Sequence, residues 1–203
     1  PMTAGPVYVG AFVLFLFILG CFIVKGPLKG ALLGATLFSI VLAWGKNFMP
    51  LTNFFIDYVP MYNKFRAVSS ILVIAEFTIP LLAVLALKQL LDEPDCWKKE
   101  KKAVGISLLL TAGVAFLLWV APGALGSSFI PAQEAQMLQQ AVNQQMIPAN
   151  ELNGILANLK EMREALVSAD AGRSLGIILG GCALLWLGMS GKLRTELTVM
   201  GIA

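Results

Sequence analysis

The chain has 203 residues, of which 58% are apolar and only 13% charged, and its mean hydropathy is +0.79. Soluble domains usually carry about 25% charged residues, so the composition excludes an ordinary water-soluble globule and indicates an all-α, polytopic membrane protein. Histidine is absent from the sequence, which removes the commonest acid–base residue and the commonest metal ligand, and the net charge of +3 gives no indication of nucleic-acid binding.

Five apolar segments are long enough, or nearly long enough, to cross a bilayer, for which about 20 residues are needed. We expect all of them to be helices, because an open strand would leave backbone groups unsatisfied in lipid. They cover residues 7–24, 28–44, 70–90, 104–120 and 174–189. The pairs Gly30/Gly34 and Gly176/Gly180 have the spacing of close helix contacts, although chance spacing is the simpler explanation.

The ends of the chain predict an internal piece of a larger membrane protein. Pro1 stands in place of an initiator methionine, and residues 196–203 resemble the first turns of a further membrane helix. We therefore expect a first membrane region of four spans in residues 1–121, with an interfacial segment at 45–69. A helical loop at 122–173 and a last region at 174–203 follow.

Basic residues predict the orientation of the spans. They cluster in the turn after the first span, in the charged link at residues 98–102 and after the fifth span, namely at Lys25, Lys29, Lys98, Lys99, Lys101, Lys102, Lys192 and Arg194. These sites lie on one side if every span crosses once, and that side is expected to be cytoplasmic. The N-terminus and the loops 45–69 and 122–173 would then be extracytoplasmic, as in a protein of the bacterial inner membrane.

The long loop at 122–173 predicts a helical hairpin. Apolar residues recur at helical spacing from Asn150 onward and stop at Ala171-Gly172, and a weaker stripe covers residues 131–146. The hairpin could close over a lipid-linked substrate. The favoured alternative is that it packs against a neighbouring domain or lies in the membrane interface.

Residues 45–69 contain too many charges for a span and too many aromatics for a solvated loop. Two prolines interrupt the segment, so we expect a short interfacial helix at about 51–58. The ionisable residues from 47 to 87 are Asp57, Lys64, Arg66 and Glu76, and they are the candidate substrate-binding residues.

Ligand binding is one of two explanations for each of Lys64, Arg66 and Glu76, and the alternative differs between the basic residues and the acid. A guanidinium such as that of Arg66 fits a phosphate or anionic headgroup, while simple interfacial anchoring would explain both Arg66 and Lys64. A carboxylate inside a span, such as Glu76, should face a cavity or a partner. Its structural alternative is a bond to another helix of the full-length protein.

Several motifs resemble the bacterial YfhO membrane-protein family. They are GPVYVG at residues 5–10, the segment 39–50 with its WGKN sequence, and above all DYVPMYNKFRAVSS at residues 57–70. The resemblance implies a GT-C type glycosyltransferase, a many-spanning enzyme that takes a sugar from a polyprenyl-phosphate donor at the outer membrane face. It also implies a phosphate contact for Lys64-Phe65-Arg66. The catalytic acid of such enzymes usually lies in a first outer loop, so it is expected outside this chain and its identity is unknown.

Two other classes of function compete with the transferase. A transporter or flippase for lipid-linked glycans would explain Glu76 within a span and the broken segment at 45–69, and a structural membrane module is the third class. The expected partners are membrane lipid, a polyprenyl-phosphate-linked sugar and the remaining transmembrane helices. The scattered cysteines, Cys21, Cys96 and Cys182, match neither a disulfide framework nor a zinc spacing. No cofactor is evident in the sequence, and the residues present are compatible with binding of a divalent metal ion.

Overall fold

The computed structural model describes residues 8–44, 49–58, 71–93, 96–123, 129–144, 148 and 151–189. Within these ranges the regular structure is helical and no strand occurs, which confirms the expected all-α class. The elements are α1 (Ala11–Ile23), α2 (Pro27–Ala43), α3 (Met49–Tyr58), α4 (Val73–Asp92), α5 (Cys96–Lys99), α6 (Lys101–Leu108), a π-helical segment (Leu109–Gly113), α7 (Val114–Val120), α8 (Ala132–Asn143) and α9 (Leu152–Met189).

Several helices have the dimensions of membrane spans. The stretches Val73–Asp92, Lys101–Val120 and Leu152–Met189 are long and apolar enough to cross a bilayer, while α1 and α2 are shorter apolar helices. Large apolar side chains also face outward, including Leu37, Val84 and Leu109, which are 59–72% exposed. An exterior of this kind suits lipid better than water, so the described part of the chain has the features of a helical membrane protein.

The first helix is shorter than the apolar run that predicts it. Gly10 has a φ of 87°, a backbone conformation outside the helical region, and the chain becomes extended at Val24. The next turn contains Gly26, whose φ of 112° suits a residue without a Cβ, and Pro27 then takes the first position of α2. The turn residues therefore limit α1 to 13 residues, which span about 20 Å.

The described residues fall into two compact units. Unit 1 contains α1 to α6 and the end of α9 from Gly181 onward. Unit 2 contains the π-helical segment, α7, α8 and α9 as far as Gly180. The boundaries of these units fall after Leu108 and after Gly180, within continuous helical stretches, while the predicted division at residues 121/122 and 173/174 stays a prediction.

In unit 1, α4 packs against both α1 and α2, and α1 also packs against α6. Phe15, Leu19, Leu82 and Ala86 are fully buried in this bundle. A Cβ added at Gly20 would lie 3.1 Å from the Leu82 carbonyl oxygen, so the glycine allows the two backbones to approach closely. Lipid is as apolar as these side chains, so the contact is stabilised mainly by close packing rather than by removal from water.

The predicted glycine pairs do not take part in such packing. A Cβ added at Gly30, Gly34, Gly176 or Gly180 would meet no described atom within 4 Å. The close approaches instead involve Gly20, Gly172 and Gly181; a Cβ at Gly172 would lie 3.1 Å from the Trp119 ring, and one at Gly181 would overlap the Phe12 ring. Chance spacing, the simpler explanation, therefore fits these pairs better than a helix-contact motif within the described residues.

The helix predicted to end at Ala171-Gly172 does not end there. It continues as α9 to Met189. The second helix of the predicted hairpin and the fifth predicted span therefore form one helix of 38 residues, about 57 Å long. The loss of the apolar stripe marks a change in surroundings rather than a break in the backbone. No proline or capping sequence interrupts residues 152–189, and one internal glycine costs only about 1 kcal/mol.

Candidate functional site

Helix α3 lies between two apolar helices in the sequence and packs against the first of them. The ring centroids of Phe55 and Phe38 on α2 are 5.9 Å apart, and Phe54 contacts Phe55 edge-on at 5.7 Å. A helix is thus observed where one was expected at 51–58; α3 begins two residues earlier, and its interfacial location stays a prediction. Its side at Asn53, Phe54, Asp57 and Tyr58 is exposed.

Hydroxyl groups hold α2 against α4. The Oγ1 atoms of Thr36 and Thr78 are 2.7 Å apart and both side chains are buried, while the Oγ of Ser39 donates to the Ile71 carbonyl oxygen at 2.8 Å. The two contacts run in opposite sequence directions, so α2 and α4 are antiparallel. They hold the beginning of α4 beside the C-terminal half of α2.

Glu76 lies in the first turn of α4 and is exposed. Val73 and Phe77 beside it are 61% and 69% exposed, whereas Ala75, Thr78 and Ile79 face the bundle. The carboxylate therefore stands on the outward, apolar side of α4, as expected for a group that meets a partner or ligand beyond this bundle.

Proline at position 80 adds a second acceptor beside that carboxylate. Pro80 lies inside α4 and has no N–H, so the carbonyl of Glu76, four residues earlier, cannot accept the usual helical hydrogen bond from residue 80. Glu76 therefore has two groups that can accept hydrogen bonds from outside the helix, its side-chain carboxylate and its backbone carbonyl. We did not anticipate this feature, although the spacing of Glu76 and Pro80 in the sequence could have indicated it.

The four predicted substrate-binding residues are only partly covered by the structure. Asp57 is exposed near the end of α3, and Glu76 is exposed near the beginning of α4. Lys64 and Arg66 lie outside the described residues, within the stretch 59–70 that joins these two helices. The structure therefore describes the helices on both sides of the family-like motif.

An ion pair in unit 2 was not predicted. The guanidinium of Arg163 on α9 donates to both carboxylate oxygens of Glu134 on α8, at 2.8 and 2.7 Å, and to the Phe129 carbonyl oxygen at 2.6 Å. These hydrogen bonds lower the pKa of the Glu134 carboxyl below its ordinary value. No local pattern in the sequence pairs residues 134 and 163, which are 29 positions apart.

The described residues contain no group of three or more His, Cys, Asp or Glu side chains able to hold a metal ion. Within unit 2, Ser168 donates to the Trp119 carbonyl oxygen at 2.8 Å, so α9 also contacts the end of α7. Other described polar contacts lie within single helices, such as the hydrogen bond from Ser107 to the Ala103 carbonyl oxygen and the Lys160–Glu164 pair. The α3–α4 region of unit 1 is the place where exposed carboxylates, aromatic rings and the predicted basic motif come together in sequence.

Comparison with known proteins adds no relative: no family model, curated protein or solved structure matches the chain. The likeness to the YfhO family therefore depends on the motifs at residues 5–10, 39–50 and 57–70.

Proposed function

We propose that the chain forms part of a membrane glycosyltransferase that moves a sugar from a polyprenyl-phosphate donor to a cell-envelope acceptor at the outer face of a bacterial inner membrane. The observation that carries the proposal is that α2 contacts both α3, through Phe38 and Phe55, and α4, through Thr36 and Thr78. An aromatic helix with an exposed carboxylate, Asp57, leads into the motif with Lys64 and Arg66, and the next helix carries the outward-facing Glu76. The family resemblance supports the same function.

The reaction needs phosphate binding and recognition of hydroxyl groups. The acceptor oxygen attacks the anomeric carbon of the sugar, the bond from that carbon to the phosphate oxygen breaks, and the polyprenyl phosphate leaves with the electron pair. The hydroxyl proton passes to a base, which we assign to no residue of this chain. Lys64 and Arg66 would stabilise the leaving phosphate. Asp57 and Glu76 would accept hydrogen bonds from the substrate.

Sugar transfer by the purified full-length protein tests this proposal. In lipid nanodiscs with polyprenyl-phosphate sugars, we expect Arg66→Ala and Lys64→Ala to lower kcat/KM about tenfold or more, because each removes a charged hydrogen bond to phosphate. Lys160→Ala, which removes an exposed lysine of unit 2, should leave kcat/KM unchanged. Full activity of both variants would overturn the assignment of Lys64 and Arg66 to phosphate binding. No sugar transfer from any donor would overturn the proposed glycosyltransferase function.

A transporter or flippase for lipid-linked glycans is the second candidate. Two interruptions within span-length helices favour it, namely Pro80 in α4 and the π-helical segment Leu109–Gly113 between α6 and α7, since broken helices often line transport sites. Proteoliposomes distinguish the two functions. A transporter moves the intact lipid-linked glycan between leaflets, whereas a transferase cleaves it only when an acceptor is present.

A further inference from the structure

The exposed side of α3 combines aromatic and polar groups. Its members are Asn53, Phe54, Asp57 and Tyr58, which we call the α3 face; their spacing places them on one side of the helix. The rings of Phe54 and Tyr58 are 52% and 74% exposed, and their centroids lie 5.0 Å apart with planes inclined by 32°. Two accessible rings therefore stand next to a carboxylate and an amide.

The packing of α3 fixes which side is presented. Phe55 is directed toward Phe38 of α2, with ring centroids 5.9 Å apart. Aromatic pairs of this kind add about 0.5–1.5 kcal/mol each beyond simple burial. Rotation of α3 about its axis would break the contact with α2, so the α3 face keeps its outward direction.

The composition of the α3 face argues against insertion into lipid. A helix that lies in the membrane interface separates an apolar side from a charged side. Asp57, however, lies three residues after Phe54 and next to Tyr58, so the rings could not enter hydrocarbon without the carboxylate. Burying that carboxylate without a partner is costly.

A sugar ring has the complementary properties. Its C–H groups carry a slight positive charge and suit the negative face of an aromatic ring, while its hydroxyls donate to a carboxylate and exchange hydrogen bonds with an amide or phenol. We infer that the α3 face binds the ring of a neutral glycan, with the rings of Phe54 and Tyr58 against its C–H groups and with Asp57, Asn53 and the Tyr58 hydroxyl on its hydroxyls. The inference rests on the proposed function in making that glycan a substrate.

Binding of free sugars tests the inference separately from sugar transfer. Methyl glycosides of glucose, galactose, mannose and N-acetylglucosamine are titrated onto the full-length protein in nanodiscs free of sugar-based detergent, and binding is followed by saturation-transfer NMR. We expect at least one glycoside to bind. Asp57→Asn and Tyr58→Phe should each raise its Kd about threefold to tenfold, as loss of one hydrogen bond predicts.

Tyr8→Phe is the matched control, because Tyr8 is also 74% exposed but lies outside α3; its Kd should equal that of the unaltered protein. Phe54→Ala should weaken binding further, and the two conservative variants keep the test valid if it misfolds. No glycoside binding, or binding that all three α3 variants leave unchanged, would overturn the inference.

A spin label at Tyr58→Cys, in protein whose natural cysteines are replaced by serine, tests the lipid alternative. Faster relaxation by a water-soluble nickel chelate than by oxygen supports the inference, whereas the reverse places the α3 face in lipid and overturns it. Glycoside binding without transfer from any donor would refute the proposed function alone. Transfer that is unaffected by the α3 variants would refute the inference alone.

Discussion

At the scale of single residues, the contact between Arg163 and Glu134 shows how an exposed ion pair can be structurally specific. Both side chains are about one-third exposed, so solvent weakens the attraction between their charges. The fork geometry, with a third bond to the Phe129 carbonyl oxygen, nevertheless fixes one arrangement. The pair therefore determines how α8 meets α9 more than it determines overall stability.

The pKa of Glu134 provides a direct test of this pair. Because hydrogen bonds from Arg163 lower the folded-state pKa below the ordinary value of 4.5, the pair stabilises the fold fully above pH 4.5. That stabilisation is lost as pH falls through the lowered pKa. NMR titration of the labelled carboxyl should give a value below 4.5 that rises toward 4.5 in Arg163→Gln.

Lys160→Gln is the control for this titration, because Lys160 pairs with Glu164 on α9 rather than with Glu134. This substitution should leave the pKa of Glu134 unchanged. A Glu134 pKa of 4.5 or above in the unaltered protein would contradict the observed pairing.

At the scale of elements, α9 contains two kinds of environment within one helix. Its first part carries Arg163, which pairs with Glu134 of α8, and its last part, from Gly181, packs in unit 1. Phe12 of α1 is 8% exposed and its ring lies where a Cβ at Gly181 would stand. The lack of a side chain at this position allows α1 and α9 to pack closely.

Gly181→Ala should therefore destabilise the protein by about 1–3 kcal/mol, the usual cost of overpacking a close contact. Unfolding of the purified protein with increasing SDS measures the change. Gly180→Ala is the matched control, since no described atom lies within 4 Å of a Cβ there; it should be neutral or stabilise the helix by up to about 1 kcal/mol. Equal effects of the two substitutions would contradict the predicted overlap with Phe12.

At the scale of the whole molecule, charge distribution and helix length lead to one prediction about sidedness. The described residues contain span-length apolar helices, and Lys99, Lys101 and Lys102 are exposed at the end of α5 and the beginning of α6. The positive-inside rule places the 98–102 link in the cytoplasm. One candidate span, Lys101–Val120, separates this link from residues 122–173. We therefore expect residues 122–173 to lie on the outer side of the membrane.

Cysteine labelling of intact cells tests this orientation. In protein whose three natural cysteines are replaced by serine, Lys160→Cys should react with a membrane-impermeant maleimide added outside, whereas Lys101→Cys should react only after permeabilisation. Both native lysines are exposed, so accessibility within the protein is matched. Labelling of position 101 alone in intact cells would reverse the proposed topology.

Much of the helical layout could be predicted because it depends on local sequence. Hydropathy and turn residues located α2 to within one residue at each end, and α3 was expected from aromatic residues between prolines. The missed contacts between helices depend on distant residues. Nothing near Thr36 indicates that its hydroxyl meets Thr78, 42 residues away. For the candidate site, the sequence indicated Asp57 and Glu76, but not that α4 turns Glu76 away from the bundle.

The sequence by itself determined that this is an all-α protein with helices suited to a membrane, because backbone groups in lipid must be satisfied within each helix and apolar length follows from composition. The tertiary structure decided which helices pack together, that α9 is continuous, and that Glu134 meets Arg163. Those properties depend on side-chain fit between residues far apart in the chain. They also decide which side of α3 is exposed.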